Sequence, residues 1–393
     1  MIHARRRGWC PSALRPMATG DGLLMRLRPP LSRLSLAQAQ GFAEAVQRHG
    51  NGMIDLTSRG NLQVRGLTPM THQAMLEAAT ALDLLDVHSK NGLLPELPCT
   101  LISSPFAGPS AILSLRAALE AGLRAEPRLA GLPAKFSIVL DEQAEPLFDD
   151  IPAHLRALVR AEGDVLLVGG GQQEAISRAA APQALVQRAL AATRGPKSSR
   201  GQAAPGLRAT FGPGPAQRRQ MMPGAISLGS APAFAFGLGF GSMQASALLA
   251  LVAELRYAGA TELRLTPWHL LLALPMREGA MPGLMATAQV SGFIVTADDP
   301  RRALSACPGQ PFCLQAHLPV RDDAQRLAAG IGASLLHRNL HVHLSGCDKF
   351  CACPPQADFI LEAKADGYHV SGRAWTNPGA TRLTLAEAAL GLA

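Results

Sequence analysis

The chain has 393 residues, 48% of them hydrophobic and 17% charged, with a net charge of +8. At roughly 150 residues per domain this is two to three domains. The apolar content suffices for packed cores, which excludes whole-chain disorder, and the 38 Gly and 30 Pro show no fixed period, which excludes a collagen-like chain. Arginine carries the positive charge, because Lys90, Lys135, Lys197, Lys349 and Lys364 are the only lysines. Aromatic residues make up 4%, and no basic stripe is interleaved with them, so no nucleic-acid partner is expected.

The opening segment, MIHARRRGWCPSALRPM, has a basic run with no apolar stretch behind it, unlike a secretory signal. Seven cysteines, an odd number with five in the last quarter of the chain, do not suggest a disulfide framework, and a cytoplasmic location is expected. In chain order, an apolar strand near Leu23 leads to a helix from Phe42, a turn at Gly50, a strand ending at Thr57 and a further strand, NLQVRGL. Thr71 to Leu85 and Ser110 to Ala125 have helical period, LPAKFSIVLDE and DVLLVGGG read as strands, and Pro182 to Thr193 as a helix. Gly169-Gly170-Gly171 lacks both the dinucleotide and the P-loop pattern and is read as a turn. A Gly/Pro/Arg-rich linker then covers residues 194–219.

Gln220 to Ala253 carries no charged side chain, and Ala233 to Ala253 approaches the ~20 apolar residues of a membrane span. Gly237, Gly239 and Gly241, however, alternate with Leu238 and Phe240 in strand-and-turn fashion. An internal repeat decides the matter. FAEAVQRHGNGMIDLT, Phe42 to Thr57, aligns without gaps with LVAELRYAGATELRLT, Leu251 to Thr266, and apolar strands flank both copies. The charge-free segment thus corresponds to a strand and helix of the first copy, and no membrane span is expected. Further on, SGFIVTAD reads as a strand, Asp322 to Leu336 as a helix, HVHLSG as a strand, DFILEAKADGYHVSG as a hairpin and Leu385 to Leu392 as a terminal helix.

The most specific chemical signal is ACPGQPFC, Ala306 to Cys313, followed by SGCDKFCAC, Ser345 to Cys353. Four thiolates from two loops are what a cubane iron–sulfur cluster requires, one soft ligand per iron. Pro308, Gly309, Pro311 and Gly346 suit loops that fold tightly and leave backbone N–H groups free for sulfur. Structural zinc is the alternative, but its knuckles favour closer cysteine pairs than C-x5-C with C-x3-C.

These cysteines, the duplicated half and the run DLTSRGNLQVRG resemble the nitrite and sulfite reductase superfamily. Within it, CPSALRPMATGDGLLMRLRP, SPFAG, LPAKF and HLSGCDKFCACP look most like the precorrin-3B synthases, oxygen-dependent enzymes of aerobic cobalamin synthesis. The resemblance implies an α+β fold in which ferredoxin-like half-domains, residues 10–70 and 220–280, pair into one domain, with reductase-type α+β domains at 71–193 and 286–393. It implies that Cys307, Cys313, Cys347 and Cys351 ligate a 4Fe-4S cluster, that Arg59 contacts the anionic ligand or the macrocycle, and that Lys135 is an active-site lysine. Sirohaem or a mononuclear non-haem iron is the candidate partner of the cluster. Trp268 stands opposite Arg59 in the repeat, so the second copy is expected to be structural there.

Departures from the reductase pattern shape the functional expectation. The second lysine of the reductases falls at Ser137, and a further basic position falls near Cys99 and Thr100. Reduction of sulfite or nitrite needs a cationic cradle, so these losses favour chemistry on neutral dioxygen, and bulky Ile360 stands where the reductases keep a small residue. His341 and His343 alternate on a strand with His317 and His337 nearby, a candidate mononuclear iron set that lacks a carboxylate. Cys353 is read as a free thiol or substitute ligand and Cys10 as a small loop residue. The expected activity is a monooxygenase converting precorrin-3A to precorrin-3B, with Arg26, Arg28, Arg59 and Arg65 available for the substrate carboxylates. Electrons from NADH are expected through a separate reductase, because no nucleotide fingerprint is visible. The alternatives are a sirohaem-dependent nitrite or sulfite reductase and a non-catalytic cluster or binding protein.

Overall fold

The computed structural model describes residues 10–85, 88–89, 92–93, 96–106, 109–133, 135–142, 151, 153–194, 221–228, 231–277, 279, 281–354, 357–372 and 383–392. The expected linker beyond Arg194 lies outside them up to residue 220. The described residues form an α+β protein with both mixed and antiparallel sheets.

Each copy of the repeat contributes most of one antiparallel sheet and one strand of the other. The first sheet runs Met17–Thr19, Gly22–Leu27, Leu62–Leu67, Met53–Leu56 and then Ser242–Gln244 from the second copy. The other runs Gly224–Leu228, Ala231–Leu238, Leu270–Leu274, Glu262–Leu265 and then Arg33–Ser35 from the first. Registers are reciprocal, with Leu34 opposite Leu263 and Met243 opposite Ile54. The exchanged strands start after the same left-handed turn, at Leu31 and Ser32 in one copy and Phe240 and Gly241 in the other. Helices Leu36–His49 and Ala245–Tyr257 pack together between the sheets in one core that includes Phe42, Val46, Leu248 and Leu251. Ser35 starts the first helix through a capping box with Gln38. Gln244 gives the second no side-chain cap, and that helix is held by burial of its apolar face. The charge-free segment is thus strand Ala231–Leu238 and this helix, and no described helix is long and apolar enough to cross a membrane.

A third sheet, Gln172–Ile176, Val165–Gly169, Leu155–Val159, Ser137–Glu142 and Thr100–Ser103, is parallel across its last three strands and antiparallel elsewhere. Helices Pro109–Arg124 and Ala181–Arg194 cover it, burying Leu115, Leu119, Leu185 and Ala189 against Ile138 and Leu140. The glycine run is the turn of its hairpin: Gly170 and Gly171 have φ of 64° and 77°, the twist a two-residue hairpin loop demands.

The last sheet runs Leu304–Ala306, Val342–Ser345, Phe359–Lys364 and Gly367–Gly372, its first three strands parallel. Its crossover helix starts at Val320, passes through a π-turn at Ala328–Gly332 and ends at His337. The stretch SGFIVTAD forms only a two-residue strand, Phe293–Ile294, on the edge of Ala231–Leu238.

Candidate cluster centre and adjoining cationic site

Two adjacent parallel strands deliver the first pair of thiols. Cys307 directly follows strand Leu304–Ala306 and Cys347 lies two residues beyond Val342–Ser345, so the register Ala306 to Leu344 places both at one sheet edge. The Cys307 amide donates to Leu344 O at 3.1 Å, and the Gly346 amide donates to Cys307 Sγ at 3.1 Å. Cys313 is tied by its own amide to Gly309 O (2.8 Å), and the His317 amide reaches Gly346 O (2.9 Å), which closes one loop on the other. Gly346 must be glycine here, because a Cβ would lie 2.7 Å from that of Ala316. Cys351, the fourth expected ligand, lies on a turn whose neighbours Phe350 and Ala352 hold φ of 47° and 62°.

Burial pushes the Cys307 thiol up, opposed by the Gly346 and Gly309 amides and reinforced by Cys313 and Cys347. Burial likewise raises Cys351, and Cys307, Cys347 and Cys313 add to it while Lys135 opposes. Burial, reinforced by neighbouring thiols, raises Cys307, Cys347 and Cys351, so they become thiolates together around concentrated positive charge, and the donor set fits a cluster of irons. Among the described residues no three His, Cys, Asp or Glu side chains converge as ligands of one ion. A four-iron cluster takes one thiolate per iron and does not need that convergence. Cys353 is partly buried, its thiol directed to Pro354 O at 3.7 Å.

Arg59 stands on the turn after Met53–Leu56, where the Thr57 hydroxyl accepts from the Arg59 and Asn61 amides at 3.3 and 3.1 Å. Its guanidinium donates to Lys135 O at 3.4 Å, linking the first half to LPAKF. Burial lowers the Arg59 pKa, Cys10 opposes this and Arg28 adds to it. Arg26 is lowered in the same way, by burial first, with Cys10 opposing and Arg28 and Arg59 contributing. Gln63, with its amide oxygen turned to Arg26, accepts from Nε and Nη2 at 3.2 and 2.9 Å. Three arginines therefore crowd together beside Cys10, a concentration of charge that favours an anionic occupant. Cys10 is thus part of this group, which its sequence context did not signal.

Arg65 is not available for a ligand. Only 2% exposed, it donates to both Asp21 oxygens (3.0 and 2.9 Å) and to Phe312 O (2.7 Å), lies 3.6 Å from Asp55, and stacks its guanidinium over Phe312. Arg65 was expected among the arginines available for substrate carboxylates, but internal carboxylates occupy its fork. Of the histidine set, His341 Nε2 and His343 Nδ1 both meet the Ser305 hydroxyl, at 3.0 and 2.8 Å, while His343 Nε2 is buried without a hydrogen-bond partner among the described residues. Trp268, opposite Arg59 in the repeat, packs on Phe106 with ring centroids 5.7 Å apart.

Thr100, Ser137 and His154 lie side by side at the start of three parallel strands, next to Lys135. The two positions where charge was missing are buried and neutral, at 6% and 1% exposure. His154 was missed at the sequence level, because its strand, LRALV, was not recognised.

The nitrite/sulfite reductase ferredoxin-like half-domain model matches residues 15–82. Over 93% of this chain and 83% of the relative, the sequence is 33% identical to a precorrin-3B synthase from Sinorhizobium sp. The chain belongs to the precorrin-3B synthase family. It is accordingly an oxidoreductase of the wider reductase family, and a ferredoxin–nitrite reductase from Synechococcus elongatus is 25% identical over 93% of this chain and 81% of its own. The NirA protein of Mycobacterium tuberculosis shares the fold, with a TM-score of 0.68 at 19% identity over 88% of this chain and 74% of that one.

Proposed function

We propose that this precorrin-3B synthase homologue is an oxygen-dependent monooxygenase that converts precorrin-3A to precorrin-3B. One oxygen atom of dioxygen enters the meso carbon between rings A and D, the ring A acetate closes a γ-lactone, and the second oxygen atom leaves as water. The two electrons required come from NADH through a separate reductase. The observation that carries this reading is the pairing of the Arg26, Arg28 and Arg59 group, suited to a polycarboxylate, with a neutral row at Thr100 and Ser137. Cys307, Cys313, Cys347 and Cys351 would hold a 4Fe-4S cluster, which supplies single electrons when bound. Arg59 binds and orients a carboxylate of the substrate through its planar fork, and Lys135 adds a second cation on the side of Cys351. The same reading carries the half-domain bounds 10–70 and 220–280, with the α+β domains at 71–193 and 286–393.

The test is incubation of iron- and sulfide-reconstituted protein with precorrin-3A, dioxygen and a reducing system. A product heavier by one oxygen atom, with 18O incorporated from labelled dioxygen, is expected. Unchanged substrate would overturn the reading, and nitrite- or sulfite-dependent oxidation of a reduced dye would replace it with a sirohaem reductase.

A further inference from the structure

His154 lies beside the cationic site, and no role has yet been assigned to it. One of its faces and one ring nitrogen are accounted for. The ring stacks on Phe136 with centroids 4.6 Å apart and planes 26° from parallel. Its backbone amide donates to Ser137 O at 3.0 Å, and the Ser137 amide donates back to Nδ1 at 3.2 Å. An amide N–H can only donate to an unprotonated nitrogen, so the proton of the neutral ring sits on Nε2. That Nε2 is fully buried and has no hydrogen-bond partner among the described residues. Burial and the Arg59 charge both lower the His154 pKa, which keeps the ring neutral.

A buried N–H donor left without an acceptor costs free energy unless something supplies one. The one charge that acts on the ring is a cation, Arg59, and the Ser137 amide, a donor, holds the other nitrogen. A site of this kind wants an oxygen acceptor from outside the chain. We propose that His154 is a ligand-binding residue that donates its Nε2 hydrogen to a carboxylate oxygen of the molecule held by Arg59. This rests on the tetrapyrrole reading for the identity of that molecule. Phe136 and the Ser137 amide act as the clamp that fixes the ring's tautomer and direction, so the donor is set before the ligand arrives.

The experiment uses the reconstituted full chain and an octacarboxylate porphyrin as probe, with binding followed by fluorescence quenching. His154→Phe keeps the ring stack on Phe136 and removes the donor. His154→Gln loses the ring but returns an N–H donor near Nε2. The expected result is about tenfold weaker binding for His154→Phe, the size of one charge-assisted hydrogen bond. His154→Gln should recover to within about threefold of the parent, and both variants should keep the parent's iron content and melting temperature. Equal binding by His154→Phe and the parent would overturn the role of His154 while leaving the tetrapyrrole reading intact. Weak binding by both variants together with lost iron or a lowered melting temperature would show a structural role and overturn it too. Failure of the parent protein to bind the porphyrin would instead sink the tetrapyrrole reading, and the proposed ligand of His154 with it.

Discussion

Replacing Arg65 by Met tests whether the first half-domain holds the cluster loop in place. The substitution keeps side-chain bulk and removes three charge-assisted hydrogen bonds, two to Asp21 and one to Phe312 O, the carbonyl just before Cys313. Breaking a buried ion pair from one side costs about 3–5 kcal/mol, chiefly because the partner is left charged and unpaired. Here the partners are not stranded. Asp21 retains the Thr19 hydroxyl and the Asn51 amide, each at 2.8 Å, and Asp55 retains Arg321 at 2.8 Å. The loss should therefore sit near the lower end, about 3 kcal/mol. Among the described residues Phe312 O keeps the Gly20 amide, at 3.1 Å, so the Cys313 loop should loosen as well. Urea unfolding of the iron-loaded protein, together with iron content per chain, reads both effects. A double-mutant cycle with Asp21→Asn should give a coupling above about 1 kcal/mol. A loss below about 1 kcal/mol with full iron retained would refute the argument, because such a value belongs to an exposed pair rather than a buried one.

Arg59→Ala should lower turnover by about a hundredfold or more while keeping the full iron and sulfide content, since it removes a preorganised cation from the site and none of the four expected cluster thiols; unchanged turnover would point to a binding or electron-transfer protein. Gly20→Ala would place a Cβ 2.4 Å from Pro311 O and 3.2 Å from the Cys313 amide, both backbone atoms. It should therefore reduce iron uptake on reconstitution, and uptake equal to the parent's would refute the contact. Burial holds the imidazoles of His269, His341 and His343 down to about 4. Between an unfolded value of about 6.5 and that level the unfolded chain binds more protons, so stability is fullest above about pH 6.5 and falls as the pH drops. The urea midpoint should fall between pH 7 and 5, above the carboxylate range, by an amount equivalent to at most about 2 kcal/mol per ring. A flat midpoint across that window would contradict the burial of neutral rings.

What was legible in the sequence depended on how far away the deciding partner lay. Helix and strand of the repeat show in FAEAVQRHGNGMIDLT and LVAELRYAGATELRLT, because apolar period and a turn glycine are local properties. The exchanged strands Arg33–Ser35 and Ser242–Gln244 are three residues each, too short for a period, and they exist because the other copy offers an edge. The thiol spacing in two glycine- and proline-bearing loops was readable for a similar local reason. Arg65 and His154 were not, since what they do is set by Asp21 and Ser137 across strand pairs. The signal for His154 was the apolar run LRALV directly after it, which marks a buried strand and makes the residue at its start a candidate for the edge of a site.

The duplication also explains why the cationic site occurs on one half only. At equivalent positions the first copy has Asp55, Arg59 and Gly60 and the second has Arg264, Trp268 and His269. In the first, Arg59 faces Lys135 beside the thiols. In the second, Arg264 donates to Pro105 O at 2.7 Å and Trp268 stacks on Phe106, so the same turn grips the loop after strand Thr100–Ser103. That strand carries Thr100, the first member of the row that ends in His154. One copy thus supplies the charge and the other fixes the sheet against which the charge works. Because each copy also lends a strand to its partner's sheet, the two turns cannot move independently. The spacing between Arg59 and the Thr100, Ser137 and His154 row is therefore set by the core shared between the copies together with the contacts of Arg59 with Lys135 O, Arg264 with Pro105 O and Trp268 with Phe106.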